Sequence, residues 1–215
     1  MKNKKKMIIT LPEYQRIFRV IHSVHQSVDA REVASCLFYN TIGALLIEKC
    51  FGIEAAPRMG AGIIRIGSSS EPVLSFAELN EDGELQSSTK AFHCWVETES
   101  HVIDFTAPLY EWYFAKLGMK TKMPHKMFQK QKSDMSASHH HLENAGVFYL
   151  LPNLELTAYF LQNSIRTQAM DDLAQICMQW FTRPPKSIKN SFTMMTETGK
   201  IIPIQLRPVA LSGTW

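Results

Sequence analysis

Residues 36–51 constrain this chain more than any other stretch. Leu37, Phe38, Ile42, Leu45, Leu46 and Phe51 recur at helical spacing, and Gly52 follows as a natural helix stop. A helix this apolar is covered on most of its surface, so it belongs inside a core. Cys36 stands near its beginning. The 215 residues, 45% of them hydrophobic, can build that cover without a disulfide or metal staple. We read residues 1–215 as a single domain.

The flanking patterns alternate between helix and strand. Ile17, Phe18, Ile21 and Val24 mark a helix over residues 11–26, with Pro12 in its first turn, and Ser27-Val28-Asp29 is a second start signal before residues 30–35. Residues 53–66 turn β-branched and predict a strand bent at Gly60 and Gly62. Residues 72–79 predict a second strand, 80–84 a turn, and 91–97 with 102–105 a β-hairpin. Pro108 opens a helix over 109–116 that Gly118 closes. Residues 120–141, polar and weakly periodic, predict a long surface loop, with Met119, Met123, Met127 and Met135 lining an adaptable surface. Beyond it come an apolar segment at 147–151, a strand or helix at 154–161, a helix over 164–181 ended by Arg183-Pro184-Pro185, and a hairpin of 192–196 with 201–206. The expected organisation is α+β, with a catalytic core at 11–118 and a C-terminal part, 142–215, that carries no recognisable motif.

Charge and cysteine usage narrow the function. The net charge is only +3, and Lys2, Lys4, Lys5 and Lys6 carry the excess, so neither nucleic acid nor an anionic membrane is an expected partner. The apolar run Met7-Ile8-Ile9-Thr10-Leu11 is too short for a signal peptide before Pro12, and no stretch reaches membrane-span length. A cytoplasmic protein is expected. Its four cysteines show no CxxC and no zinc-finger spacing, which in a reducing compartment means free thiols. Cys50, Cys94 and Cys177 read as small buried hydrophobes, and His139-His140-His141 as an exposed loop rather than a metal site. No cofactor or metal is expected.

Cys36 differs from the other three. Thiol catalysis needs a nucleophile, a base that takes its proton, and a group that orients the base. Cys36 at a helix start, His93 in Phe92-His93-Cys94-Trp95-Val96-Glu97 and Asp104 in Val102-Ile103-Asp104-Phe105 supply one of each. A helix N-terminus and a nearby imidazolium both favour thiolate over thiol. Asp104, between two large apolar residues in a strand, needs a polar partner, and His93 provides one. If Thr98-Glu99 is the hairpin turn, His93 lies opposite Asp104. If the loop runs over 98–101, Asp104 faces Trp95 and His93 is its diagonal neighbour. A three-residue turn would put them on opposite faces.

The Cys-headed helix running into Gly52-Ile53-Glu54-Ala55, the strand Phe92-His93-Cys94-Trp95-Val96-Glu97, and Val102-Ile103-Asp104-Phe105-Thr106-Ala107-Pro108 together resemble the transglutaminase-like branch of the papain-like thiol enzymes. The resemblance covers about a third of the chain. It implies a Cys-bearing helix packed on an antiparallel sheet, Cys36 as nucleophile, His93 as general base and acid, and Asp104 as its orienter. It also implies acyl transfer from an amide or thioester of a peptide, protein or small molecule through a cysteine thioester. Gln26, ten positions before Cys36, is the corresponding candidate for an oxyanion donor. Cys94 and Leu37 depart from the family's usual residues, and residues 68–86 read as an insertion. A thioester-dependent N-acetyltransferase and a non-catalytic binding module on the same fold are the alternatives.

Overall fold

The computed structural model describes residues 7–27, 35–67, 73–116, 118, 123–181, 188–196 and 198–215. Helix α1, Leu11–Ser27, opens on a reciprocal cap in which the Glu13 carboxylate accepts from the Thr10 backbone N–H (2.8 Å) and the Thr10 hydroxyl accepts from Glu13 N–H (3.4 Å). Its stripe of Tyr14, Ile17, Phe18, Ile21 and Val24 is buried. Helix α2, Ser35–Phe51, is buried around most of its circumference and ends at Gly52 with φ +67°, as its sequence requires. Of the expected start signal Ser27-Val28-Asp29, Ser27 is the last residue of α1, and Val28 and Asp29 lie outside the described residues.

Strand β1, Ala55–Arg65, is the axis of a six-stranded antiparallel sheet. Its first half pairs with β5, His93–Thr98, from Ala55↔Thr98 to Gly60↔His93. Its second half pairs with β2, Val73–Phe76. The stretch expected as one strand over 72–79 is instead β2 and, beyond Ala77, β3, Glu78–Leu79, which pairs with β4, Leu85–Gln86, around a turn held by the Asn80 side chain. Strand β6, His101–Asp104, extends the sheet from β5 in the register Glu97↔Val102 and Val96↔Ile103. That register is the four-residue-loop alternative, with His93 diagonal to Asp104. A 3₁₀ turn at Ala107–Leu109 leads into α3, Tyr110–Lys116, and Gly118 follows with φ +77°.

The loop expected at 120–141 is corrected in part. It contains β7, Phe128–Gln131, which pairs with β6 from Asp104↔Phe128 to His101↔Gln131. Phe128 is buried, and the amide of buried Gln129 exchanges two 3.2 Å hydrogen bonds with the Ile9 backbone. Met123 and Met127 are likewise core residues rather than adaptable surface, while Met135 is exposed and Met119 lies outside the described residues.

The sheet then takes β8, Phe148–Pro152, which lies along the second half of β1 from Gly60↔Pro152 to Ile64↔Phe148. At Gly60 a Cβ would stand 2.1 Å from the Leu151 carbonyl oxygen, so only glycine permits this approach. Strand β8 of the C-terminal part, 142–215, thus lies in the same sheet as the strands of residues 11–118. Residues 154–161 resolve as helix α4, Leu154–Phe160, continued by a π-helical turn over Leu161–Ile165. The helix expected over 164–181 begins later, as α5, Gln168–Trp180, capped by the Thr167 side chain on Met170 N–H. The Arg183-Pro184-Pro185 stop is outside the described residues. Strands β9, Ser191–Met195, and β10, Ile201–Gln205, form the expected hairpin. Met170, Cys177, Trp180 and Ile204 join residues of α1 and α2 in one core cluster. Among the described residues, no helix is long and apolar enough to cross a membrane.

Candidate active site

Cys36 is the second residue of α2, where helix N–H groups lack intrahelical acceptors and favour an anion. It is 7% exposed, and that exposure opens into a cleft of about 720 Å³. Gln26 at the end of α1, Tyr39 of α2, Phe76 of β2, and Trp112 and Tyr113 of α3 line the same cleft. The cleft thus forms where two helix termini meet the open side of the sheet.

Behind the cleft wall, His93 and Asp104 are each 1% exposed. His93 Nε2 donates to Asp104 Oδ2 at 2.8 Å, the diagonal contact that the hairpin register allows. Phe76 stacks on the imidazole with centroids 4.2 Å apart, and a Cβ at Gly62 would lie 3.3 Å from His93 Cβ. Phe76 thus covers one face of the ring, and the missing side chain at Gly62 leaves room for His93. Its other nitrogen, Nδ1, is buried with no hydrogen-bond partner of ordinary geometry among the described residues. Cys36 is near enough to raise the ring's proton affinity. A buried Nδ1 left open beside a thiol suits a proton exchanged between the two.

Charge in this pocket is set by competition. Burial disfavours the imidazolium, but the Asp104 carboxylate and its hydrogen bond, with a smaller contribution from Cys36, push His93 up to about 10. Burial would raise Asp104 in turn. His93 and hydrogen bonds from Thr106 and Tyr110 outweigh it and hold the carboxyl at about 2. Four groups besides His93 N–H serve this carboxylate: Thr106 N–H (2.7 Å), Thr106 Oγ1 (2.6 Å), Tyr110 Oη (2.6 Å) and Asn40 Nδ2 (3.0 Å). The Tyr14 hydroxyl donates to the Asp104 backbone carbonyl.

Asn40 is the residue that sequence reasoning missed. It lies one helical turn after Cys36 and is fully buried. Its Nδ2 reaches the Cys36 carbonyl (3.2 Å), the Cys94 carbonyl (2.7 Å) and Asp104 Oδ1, while its Oδ1 accepts from Phe105 N–H (2.8 Å). One side chain thus fixes the helix that carries Cys36 to both strands of the hairpin. The signal was an asparagine at mid-helix among apolar residues, where a polar group persists only with partners. Gly43, one turn on, allows the close approach: a Cβ there would meet the Phe105 ring at 2.2 Å.

Of the remaining candidates, Cys94 packs in the same cluster as Cys36 and Gln26 lines the same cleft, whereas Cys50 and Cys177 belong to the core around α1 and α2. Cys94 and Cys177 are buried and Cys50 is half-buried, and burial, foremost, raises Cys94 and Cys177 well above an ordinary thiol. Gln26 is exposed at the cleft, its Nε2 3.4 Å from His25 Nδ1. The His139 and His140 rings lie against each other in a surface turn, with centroids 3.8 Å apart and planes tilted by 41°. Among the described residues, no group of three or more His, Cys, Asp or Glu is arranged to hold a metal ion.

No curated protein matches the chain. It is similar to a solved structure described as "The crystal structure of genomics APC5867", at 29% identity and a TM-score of 0.85, covering 99% of this chain and 100% of that one. The α+β architecture is thus shared with an experimentally determined protein over essentially the whole length. A family model described as "Protein of unknown function (DUF2026)" matches residues 10–215, and the chain belongs to that family.

Proposed function

We propose that the protein is a thiol-dependent acyl-transfer enzyme of the transglutaminase-like, papain-like kind. Cys36 is its nucleophile, His93 its general acid and base, and Asp104 the group that orients the imidazole. The observation that carries the reading is the open Nδ1 of a buried, carboxylate-held His93 beside a Cys36 that lines a cleft. A Cys-headed helix packed on an antiparallel sheet that carries the histidine and the acid also supports the family resemblance.

In the first half-reaction Cys36 Sγ attacks the carbonyl carbon of an amide or thioester, forming an S–C bond and a tetrahedral oxyanion. The oxyanion collapses, the bond to the leaving amine or thiol breaks, and His93 gives that group its proton. Water, or an amine, then attacks the thioester while His93 takes a proton from it. The second tetrahedral intermediate collapses, the S–C bond breaks, the acyl product leaves, and His93 returns the proton to Cys36 Sγ. Asp104 keeps the imidazole in one tautomer and stabilises its charged form. Backbone N–H groups at the start of α2 and the Gln26 amide are the donors available to the oxyanion.

A trapped intermediate tests the reading. The protein mixed with a p-nitrophenyl ester should release a burst of nitrophenolate equal to the enzyme present, with the acyl mass on Cys36. Cys36→Ala should show no burst. Steady release without an acyl-Cys36 peptide, or a burst that survives Cys36→Ala, contradicts the proposal.

A further inference from the structure

The chemistry of the cleft bears on what enters it. Its volume, about 720 Å³, is that of a small-molecule site. Among the described residues thirteen line it, and none of these is Asp or Glu. The aromatic side chains of Tyr39, Phe76, Phe92, Trp112 and Tyr113 supply an apolar wall. Phe92 is backed by Phe160 of α4, with centroids 4.4 Å apart, so this wall is anchored to the helix after β8.

The cations are at the rim. Lys116 Nζ lies 3.8 Å from the Trp112 ring centroid, held in a cation–π contact that keeps the ammonium over the aromatic wall. Lys90 is exposed and has no carboxylate partner among the described residues. Two histidines also line the cleft but add no charge near neutrality. Burial, then His25, Arg207 and His125, lower His22 to about 4, and burial lowers His25 as well. Glu111, the neighbour of Trp112, turns to His125 (3.4 Å) and does not line the cleft. An aromatic cleft whose described lining carries two lysines and no acid attracts an anion and repels a cation.

We propose that the acyl donor is a small molecule with an aromatic or apolar portion and an anionic group, the ring lying on the Trp112 and Phe92 wall and the anion meeting Lys90 and Lys116. This rests on Cys36 being the nucleophile. It names a substrate class, acidic rather than neutral or basic amides and thioesters. A carboxylate and a phosphate share the chemistry that the lysines would recognise.

Four chloroacetanilides test it: the unsubstituted ring, and rings bearing para-carboxylate, para-phosphonate or para-trimethylammonium. Each alkylates a thiol by forming an S–C bond and expelling chloride. Rates of Cys36 modification are followed by mass spectrometry and divided by each probe's rate with N-acetylcysteine. The carboxylate or the phosphonate should react about tenfold faster than the neutral probe, the cation slower, and the preference should shrink with added salt. The faster of the two anionic probes identifies the preferred group. In Lys90→Gln/Lys116→Gln, checked for folding by circular dichroism, the anion-to-neutral ratio should fall towards one. Equal fast rates for all four probes, or a cation preference, overturn the substrate class and leave the nucleophile standing. An anion preference that survives the double substitution overturns the two lysines. If no probe modifies Cys36 faster than N-acetylcysteine, the nucleophile fails, and the substrate class with it.

Discussion

Two histidine clusters flank α2, and one ring is held charged while the other is held neutral. On one side His93 meets the carboxylate of Asp104, and its imidazolium is held up to about 10. On the other His22 shares a 2.7 Å hydrogen bond with the Tyr39 hydroxyl, stacks near Phe18 with centroids 5.3 Å apart, and is driven down to about 4. Burial acts in the same direction on both rings. The difference is the partner, a carboxylate bound by four further donor groups against a neutral hydroxyl. The first cluster stores a proton beside Cys36 and the second cannot, which is why only one of them suits acid–base chemistry.

The strongest way to break this contrast is Asp104→Asn. It leaves His93 buried beside a neutral amide, so the ring should titrate below its ordinary value, as His22 does, in a histidine-resolved NMR titration. Losing one partner of a buried ion pair should cost roughly 3–5 kcal/mol in chemical denaturation. Any acyl transfer through Cys36 should fall by up to about 10⁴-fold. Asn40→Ala comes next. It leaves the Phe105 N–H without its acceptor and takes one donor each from the Cys94 carbonyl and from Asp104 Oδ1, which keeps its two Thr106 donors, and should cost about 3 kcal/mol on a scale of ~1–3 per unsatisfied buried group. Acylation of Cys36 should slow even where the protein stays folded, because the helix is no longer tied to the hairpin. Tyr110→Phe removes one hydrogen bond to a charged oxygen, worth about 2 kcal/mol, and should raise the carboxyl. At the small end, Tyr39→Phe should cost about 1 kcal/mol and leave His93 unchanged.

The pH dependence of stability separates the clusters without a large structural change. His93 is raised in the folded state, so its contribution is complete below its ordinary value of 6.5 and is lost as pH rises towards about 10. Asp104 is depressed, so its contribution is complete above 3.8 and is lost as pH falls towards about 2. His22 is a base held neutral, so stability falls as pH drops from 6.5 to about 4. Denaturation midpoints measured across pH should therefore lose their alkaline decline in Asp104→Asn, and lose part of their decline between 6.5 and 4 in His22→Gln.

Local signals made the chemistry-bearing elements legible and left their cross-links hidden. The apolar run of α2, its Gly52 stop, and the β9–β10 hairpin follow from periodicity and turn residues alone. His93 and Asp104 were readable as partners because a hairpin register is arithmetic once the loop length is known, and the four-residue loop decides it. Strand β7 was not readable, since its polar Gln129 and Lys130 become strand residues only through pairing with β6 and the Ile9 backbone. Thr106 and Tyr110 look like ordinary turn and helix residues on either side of Pro108 until the fold brings their hydroxyls to Asp104. Asn40 carries no motif at all, and its four partners come from three elements of the chain.

The central claim is that Cys36 is a nucleophile served by a carboxylate-held His93. Site-resolved iodoacetamide labelling in mildly acidic buffer tests it most directly, because an unperturbed thiol is nearly inert there. Cys36 should be alkylated at least about tenfold faster than N-acetylcysteine and faster than half-buried Cys50, with the advantage lost in Asp104→Asn. Labelling of Cys36 no faster than the free thiol, or a rate indifferent to Asp104→Asn, would contradict it.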